Sequence, residues 1–198
     1  MSQDTKQRII EAGAQIIHHK GYNHTGIQEV LTAAGVPKGS FYFYFKSKED
    51  FGLTVIDYFN DLYKQMLYPI VEMKDLSPLK RIEKIFDYFI DFFKEIKYTR
   101  GCPIGNLSQE MGDLSDAFSD KLSVSVELIS EMYKNLLDEA KKTNLISHGI
   151  DSQKTAEFIV SSWHGSLVKM KIVKSIAPLE LHKQFIFNIL HAKGPLKN

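Results

Sequence analysis

Cysteine occurs once in 198 residues, at Cys102. A lone cysteine excludes an intramolecular disulfide and fits a reducing compartment. Apolar runs are also short, none approaching the roughly 18 residues that a membrane span needs. The start, MSQDTKQRII, has no basic-then-apolar leader. A cytoplasmic protein with no membrane partner is therefore expected. Enzymatic signatures are missing too. The seven histidines (His18, His19, His24, His148, His164, His182 and His191) contain no pair at HExxH spacing. The adjacent His18 and His19 diverge by about 100° on a helix, so they cannot share a metal. There is no phosphate-cradling glycine loop and no serine elbow, and Asp113, Asp116 and Asp120 read as the solvated start of a helix. No catalysis, cofactor or metal is expected. The net charge of +1 decides nothing about nucleic acid, because steering depends on where the charge sits.

Proline is sparse, at six positions, and each reads as helix punctuation. Asp4 is a cap for a first helix with Ile9, Gly13, Ile16 and Ile17 on one face, closed by Lys20-Gly21. Thr25 with Gln28 three residues on reads as a capping box for a short second helix ending at Gly35. Pro37 suits the first turn of a short third helix. Ser47-Lys-Glu-Asp50 caps a long fourth helix through Leu53, Ile56, Phe59, Leu62 and Met66, ending near Pro69.

Ser77-Pro78 opens a fifth helix, with Leu79, Ile82, Ile85, Phe86, Phe89, Phe93 and Ile96 at three-four spacing, stopped by Gly101. Pro103 begins a short sixth helix and a seventh runs from about Ser115 to Thr143. Asp151 caps the eighth, and Pro178 starts the last, which ends before Gly194-Pro195. No segment alternates with period two. The fold class expected is all-α, with about nine helices.

Two short helices separated by Gly35-Val36 make a helix-turn-helix, whose second helix enters the major groove of DNA. That helix carries aromatics at five consecutive positions, Phe41 to Phe45, and one short helix has only one inner face. Phe41 and Phe45, at i and i+4, are expected in the core. Tyr42, Phe43 and Tyr44 are then expected on the groove side, while the small Gly39 and Ser40 allow close backbone approach. The alternative is that all five rings fill a core. Between Val30 and Lys48 there is no acid, but there are three lysines, Lys38, Lys46 and Lys48. Such a patch suits phosphate contact, and equally a solvated face.

The stretch TGIQEVLTAAGVPKGSFYFYFKSKEDF, Thr25 to Phe51, closely resembles the DNA-binding half of the TetR family of repressors. The resemblance implies that Thr25, Ser40, Tyr42, Tyr44 and Lys48 hold phosphates, and that Gln28, Lys38, Gly39 and Phe43 face base edges. It implies a helix-turn-helix domain over residues 1–47 and a helical effector-sensing and dimerisation domain over 48–198. The partners it implies are palindromic operator DNA, a second copy joined through the last two helices, and a small-molecule or thiol-reactive effector. In this reading the fourth helix couples the two domains. The last two helices present Gly165, Ser166 and Leu167, then Phe185 and Ile189; these are interface residues or core residues. A helical small-molecule-binding dimer with no DNA function is the rival reading, and the exposed tyrosines of the third helix separate the two.

Cys102 lies at the start of the sixth helix, with Lys97 and Arg100 near in sequence, a setting that stabilises a thiolate. A single buried cysteine is otherwise a small hydrophobe. GCPIGNLSQE, Trp163-His-Gly and the run from Lys171 to Glu180 resemble the N-ethylmaleimide-reductase repressor branch of the family. That resemblance implies electrophile or oxidant sensing by Cys102 and Lys171.

Overall fold

Nine α-helices and no strand make up residues 3–191, which the computed structural model describes. In chain order these are α1 (Gln3–Lys20), α2 (Ile27–Ala34), α3 (Phe41–Tyr44), α4 (Lys48–Val71), α5 (Pro78–Glu95), α6 (Pro103–Met111), α7 (Asp116–Lys142), α8 (Ser152–Val173) and α9 (Ala177–His191). The expected stop at Gly194-Pro195 lies outside the described residues.

Most helix ends follow from capping chemistry. Ser47 Oγ accepts the Asp50 N–H at 3.0 Å while the Asp50 carboxylate accepts the Lys46 N–H at 2.9 Å. Ser77 and Asp151 accept N–H groups three residues on and so start α5 and α8. Gly35 closes α2 in the left-handed conformation, φ 63°, which a glycine adopts without a Cβ clash.

Three readings need correction. Asp4 lies inside the first turn of α1, where an acid still favours the dipole, rather than before it. Thr25 does not cap α2: it is buried, and its hydroxyl donates to the Gly21 carbonyl at 2.6 Å, so Gly26 is the N-cap and has no side chain to bond. Finally, α5 ends at Glu95, well before Gly101, and Lys97, Tyr98 and Arg100 follow in left-handed backbone.

The helices gather into two compact units, one of residues up to 64 with 102–125, the other of 65–101 with residues from 126 on. Compactness thus divides the chain differently from the 1–47 and 48–198 division, because the start of α4, all of α6 and the start of α7 join the first unit. Its core is aromatic. Phe41, Phe45 and Phe51 are fully buried with ring centroids 5.1–5.5 Å apart. Gly13 lets Phe51 pack against α1, since a Cβ there would lie 2.1 Å from the ring. Tyr22 and Phe118 meet at 4.8 Å.

In the second unit Phe86 is the hub, with Tyr133, Trp163 and His182 rings at 5.9, 5.4 and 5.3 Å. Buried Arg81 donates to the Val71 carbonyl at 2.9 Å and to Glu139. His182 Nε2 bonds Ser162 Oγ at 2.9 Å, and its Nδ1 is buried with no partner. Burial pushes its pKa down from 6.5 to about 4. A lowered folded-state pKa in a base means that the unfolded chain takes the proton first. Stability should therefore be lost as pH falls from 6.5 towards 4, by about 2 kcal/mol near pH 5. Urea unfolding at several pH values checks this: His182→Phe should flatten the acid limb relative to wild type.

Candidate nucleic-acid interface

The second helix of the helix-turn-helix is brief. A 3-10 turn, Lys38–Ser40, with Pro37 as its N-cap, leads into the single α turn of α3, and Phe45 is already extended. Short as it is, it sorts its aromatics by face. Phe41 and Phe45 enter the core, as their i, i+4 spacing predicts, while Tyr42 is 70% and Phe43 68% exposed. Tyr44 divides the expectation. It is half-buried, and its phenol oxygen is buried without a hydrogen-bond partner.

The other expected DNA-contacting positions also separate. Gln28, Lys38 and Gly39 are exposed, and a Cβ at Gly39 would meet nothing within 4 Å. Thr25 and Ser40 are buried. The Thr25 hydroxyl braces the turn below α2 and is not presented to solvent. Lys48 is half-buried, its ammonium 4.5 Å over the Tyr22 ring, and burial lowers its pKa. Seated this way, it carries its charge in a fixed place. The exposed groups of the α2–turn–α3 pair are therefore Gln28, Lys38, Gly39, Tyr42 and Phe43, while Phe41 and Phe45 fill the core and Lys48 follows at the head of α4.

The C-terminal end of α2 is held by a residue with no signal in the sequence. Arg8 of α1 donates to the carbonyls of Ala34 and Gly35, satisfying the C-terminal end of α2 with a cation. No local pattern announces a contact made across 26 residues.

Cys102 stands where expected, as the N-cap of α6. Two donors converge on its sulfur, the Gly105 N–H at 3.3 Å and the Tyr63 hydroxyl at 3.2 Å. Tyr63, from α4, was not foreseen. Cys102 is 4% exposed. Lys171 is half-buried in the last turn of α8 and belongs to the second unit. Among the described residues no helix is long and apolar enough to cross a membrane.

An α2–turn–α3 pair with an apolar underside and an exposed polar and aromatic top defines a helix-turn-helix DNA-binding protein. Comparison with known proteins gives the family. The family described as "Bacterial regulatory proteins, tetR family" matches residues 9–52, and "Tetracyclin repressor-like, C-terminal domain" matches residues 78–186. The chain is 31% identical over 186 residues to the transcriptional repressor DhaR of Mycobacterium sp., covering 93% of this chain and 91% of that one. It is 26% identical over 187 residues to the transcriptional repressor NemR of Escherichia coli, covering 94% of each. A crystal structure of a TetR regulatory protein from Rhodobacter sphaeroides superposes with a TM-score of 0.85 at 33% identity, over 91% of this chain and 95% of that one. The chain belongs to the TetR family and is a helix-turn-helix DNA-binding transcriptional regulator.

Proposed function

We propose that the protein is a cytoplasmic, homodimeric repressor that occupies a palindromic operator and leaves it when an effector reaches its helical domain. Residues 1–47 read DNA in this proposal and residues 48–198 dimerise and sense. No catalysis is assigned, and the relatives are named as regulators. The observation that carries the reading is the exposure of Tyr42 and Phe43 next to Lys38 on a turn whose core is already filled by Phe41 and Phe45. Two large rings that touch their neighbours only edge-on and stay mostly in solvent add little to the core. Beside a cation they suit a duplex, the phenol bonding a phosphate and the Phe43 ring contacting a thymine methyl.

Within this reading Tyr42 and Lys48 position the protein on phosphates. Lys38, Gln28, Gly39 and Phe43 face bases. For Thr25, Ser40 and Tyr44 the proposal is narrower: they support the backbone that approaches the phosphates, since their hydroxyl-bearing side chains lie wholly or partly inside. Two copies meet through α8 and α9, where Phe158, Ile172, Leu181, Phe185 and Ile189 are large, apolar and exposed. The effector is a small molecule or a thiol-reactive compound. Cys102 is the candidate sensor, supported by the two donors at its sulfur, and Lys171 its candidate helper, supported by the likeness to NemR.

The test begins by selecting duplexes from genomic fragments with the purified protein. Tyr42→Phe should weaken binding to selected and random duplex alike, by about fivefold for one lost hydrogen bond. Lys38→Ala should instead narrow the ratio between selected and random duplex. Equal narrowing in both variants would reverse the two assignments. Failure of the wild type to shift any fragment at low salt would leave the rival, a helical dimer that binds only a small molecule.

A further inference from the structure

α6 carries a carboxylate whose two oxygens are both taken by the backbone of another element. Glu110 Oε2 accepts the Tyr22 N–H at 2.8 Å, and Oε1 accepts the Asn23 N–H at 2.7 Å. Those amides belong to the turn between α1 and α2, immediately before Gly26, the N-cap of α2. The fit is close. A Cβ on Gly21, whose φ is +90°, would stand 2.8 Å from Oε2, so a side chain there would push the carboxylate off its seat. Paired bonds from neutral amides to an ionised acceptor are among the stronger hydrogen bonds a protein makes.

The other end of the same helix is also pinned. Cys102 caps α6 and takes the Tyr63 hydroxyl of α4, eight residues before Glu110. At the helical rise this is a rod of about 12 Å. It runs from the sulfur to the turn that launches the DNA-reading helices, all of it within the first compact unit. Any rotation of α6 has to break both amide bonds or carry the turn with it.

We infer that Glu110 is a positioning residue for DNA binding: its carboxylate fixes the α1–α2 turn, and so the entry angle of α2 and α3, to the position of α6. It contacts no DNA group in this role. Its charge in fact opposes DNA, since Glu110 lies near enough to Lys48 to raise that lysine's pKa against the effect of burial. By Coulomb's law alone, removing Glu110 would strengthen the grip on phosphates. A weaker grip after its removal therefore reports lost geometry.

The experiment compares wild type, Glu110→Gln and Glu110→Ala by amide proton–nitrogen spectra and by affinity for the selected operator fragment and for random duplex. In the wild type the Tyr22 and Asn23 amide protons should resonate downfield, as protons bonded to a carboxylate do. In Glu110→Ala both should move upfield and exchange with deuterium about tenfold faster, while the Val30 and Leu31 amides of α2 stay unchanged. Operator affinity should fall about tenfold, and random-duplex affinity at low salt should hold or rise. Glu110→Gln keeps one acceptor and the same shape, so it should fall between the two and supplies the same readouts if the alanine variant does not fold. Freed amides with wild-type operator affinity would overturn the inference. A parallel loss on operator and random duplex would overturn it too, because Glu110 would then be holding only the fold.

Discussion

Phe185→Asp should run as a monomer at micromolar concentration and release the palindromic operator. Phe185 is 58% exposed on α9, between Leu181 and Ile189, and the i, i+4, i+8 spacing of the three puts them in one stripe. Phe158 and Ile172 are exposed on α8, the helix packed against α9. A second copy covers such a face at low cost, because an isologous interface needs only one self-complementary patch. An unpaired carboxylate placed there costs about 4 kcal/mol, roughly a thousandfold in the dimer constant. Each freed protomer then holds one half-site. Sedimentation velocity and operator titration measure the two effects. Leu128→Asp is the control, an exposed leucine on α7 that should leave the dimer whole. A Phe185→Asp protein that still sediments as a dimer would move the interface off these helices. Leu167, grouped with Gly165 and Ser166 in the sequence as a candidate for the same face, is buried inside its own protomer. A charge there should unfold the second unit instead of splitting the dimer.

The Leu167 case shows what periodicity can and cannot specify. Three-four spacing placed the long helices, caps and prolines placed the short ones, and the i, i+4 rule sent Phe41 and Phe45 inward, because all of these signals depend on neighbours within one or two turns. It could not say which of two apolar faces on α8 meets α9 and which stays open, since that is decided by a partner far along the chain. Thr25 failed for a related reason. Its spacing to Gln28 fits a capping box, in which the hydroxyl accepts an N–H, but α2 starts one residue later with Gly26 as N-cap, and the buried Thr25 hydroxyl donates back to the Gly21 carbonyl instead. Exposure was legible at Lys38, Tyr42 and Phe43, but not at Ser40, which the 3-10 turn carries into the core, nor fully at Tyr44, which ends the single turn of α3 half-buried. Arg8, Tyr63 and Glu110 carry no local signature at all. Each acts on a backbone or side-chain group 26 to 88 residues away.

Hypochlorite should release the wild-type protein from its operator and leave Cys102→Ser bound. The sulfur of Cys102 receives two donors, the Gly105 N–H of the first α6 turn and the Tyr63 hydroxyl, and both favour negative charge on it. A thiolate attacks the chlorine of hypochlorous acid and expels hydroxide as the Cl–O bond breaks; water then displaces chloride from the sulfenyl chloride, releasing a proton, to leave a sulfenic acid, a larger and more polar cap than the thiol. At 4% exposure that change has no solvent to expand into, so α6 must shift at its start. Serine is among the preferred N-caps, so Cys102→Ser keeps the helix start while removing the oxidisable atom. Tyr63→Phe keeps the ring and removes one donor, and should slow the oxidation about tenfold. Lys171→Ala should blunt the release without preventing DNA binding. The bulkier iodoacetamide should react with the folded wild type far more slowly than with the unfolded chain, because the same burial that amplifies a small oxidant excludes a large one. Release of Cys102→Ser by hypochlorite as fast as wild type, or no release of either, would remove the thiol from the mechanism. The effector would then be a non-covalent ligand of the second unit, held among the rings that surround Phe86.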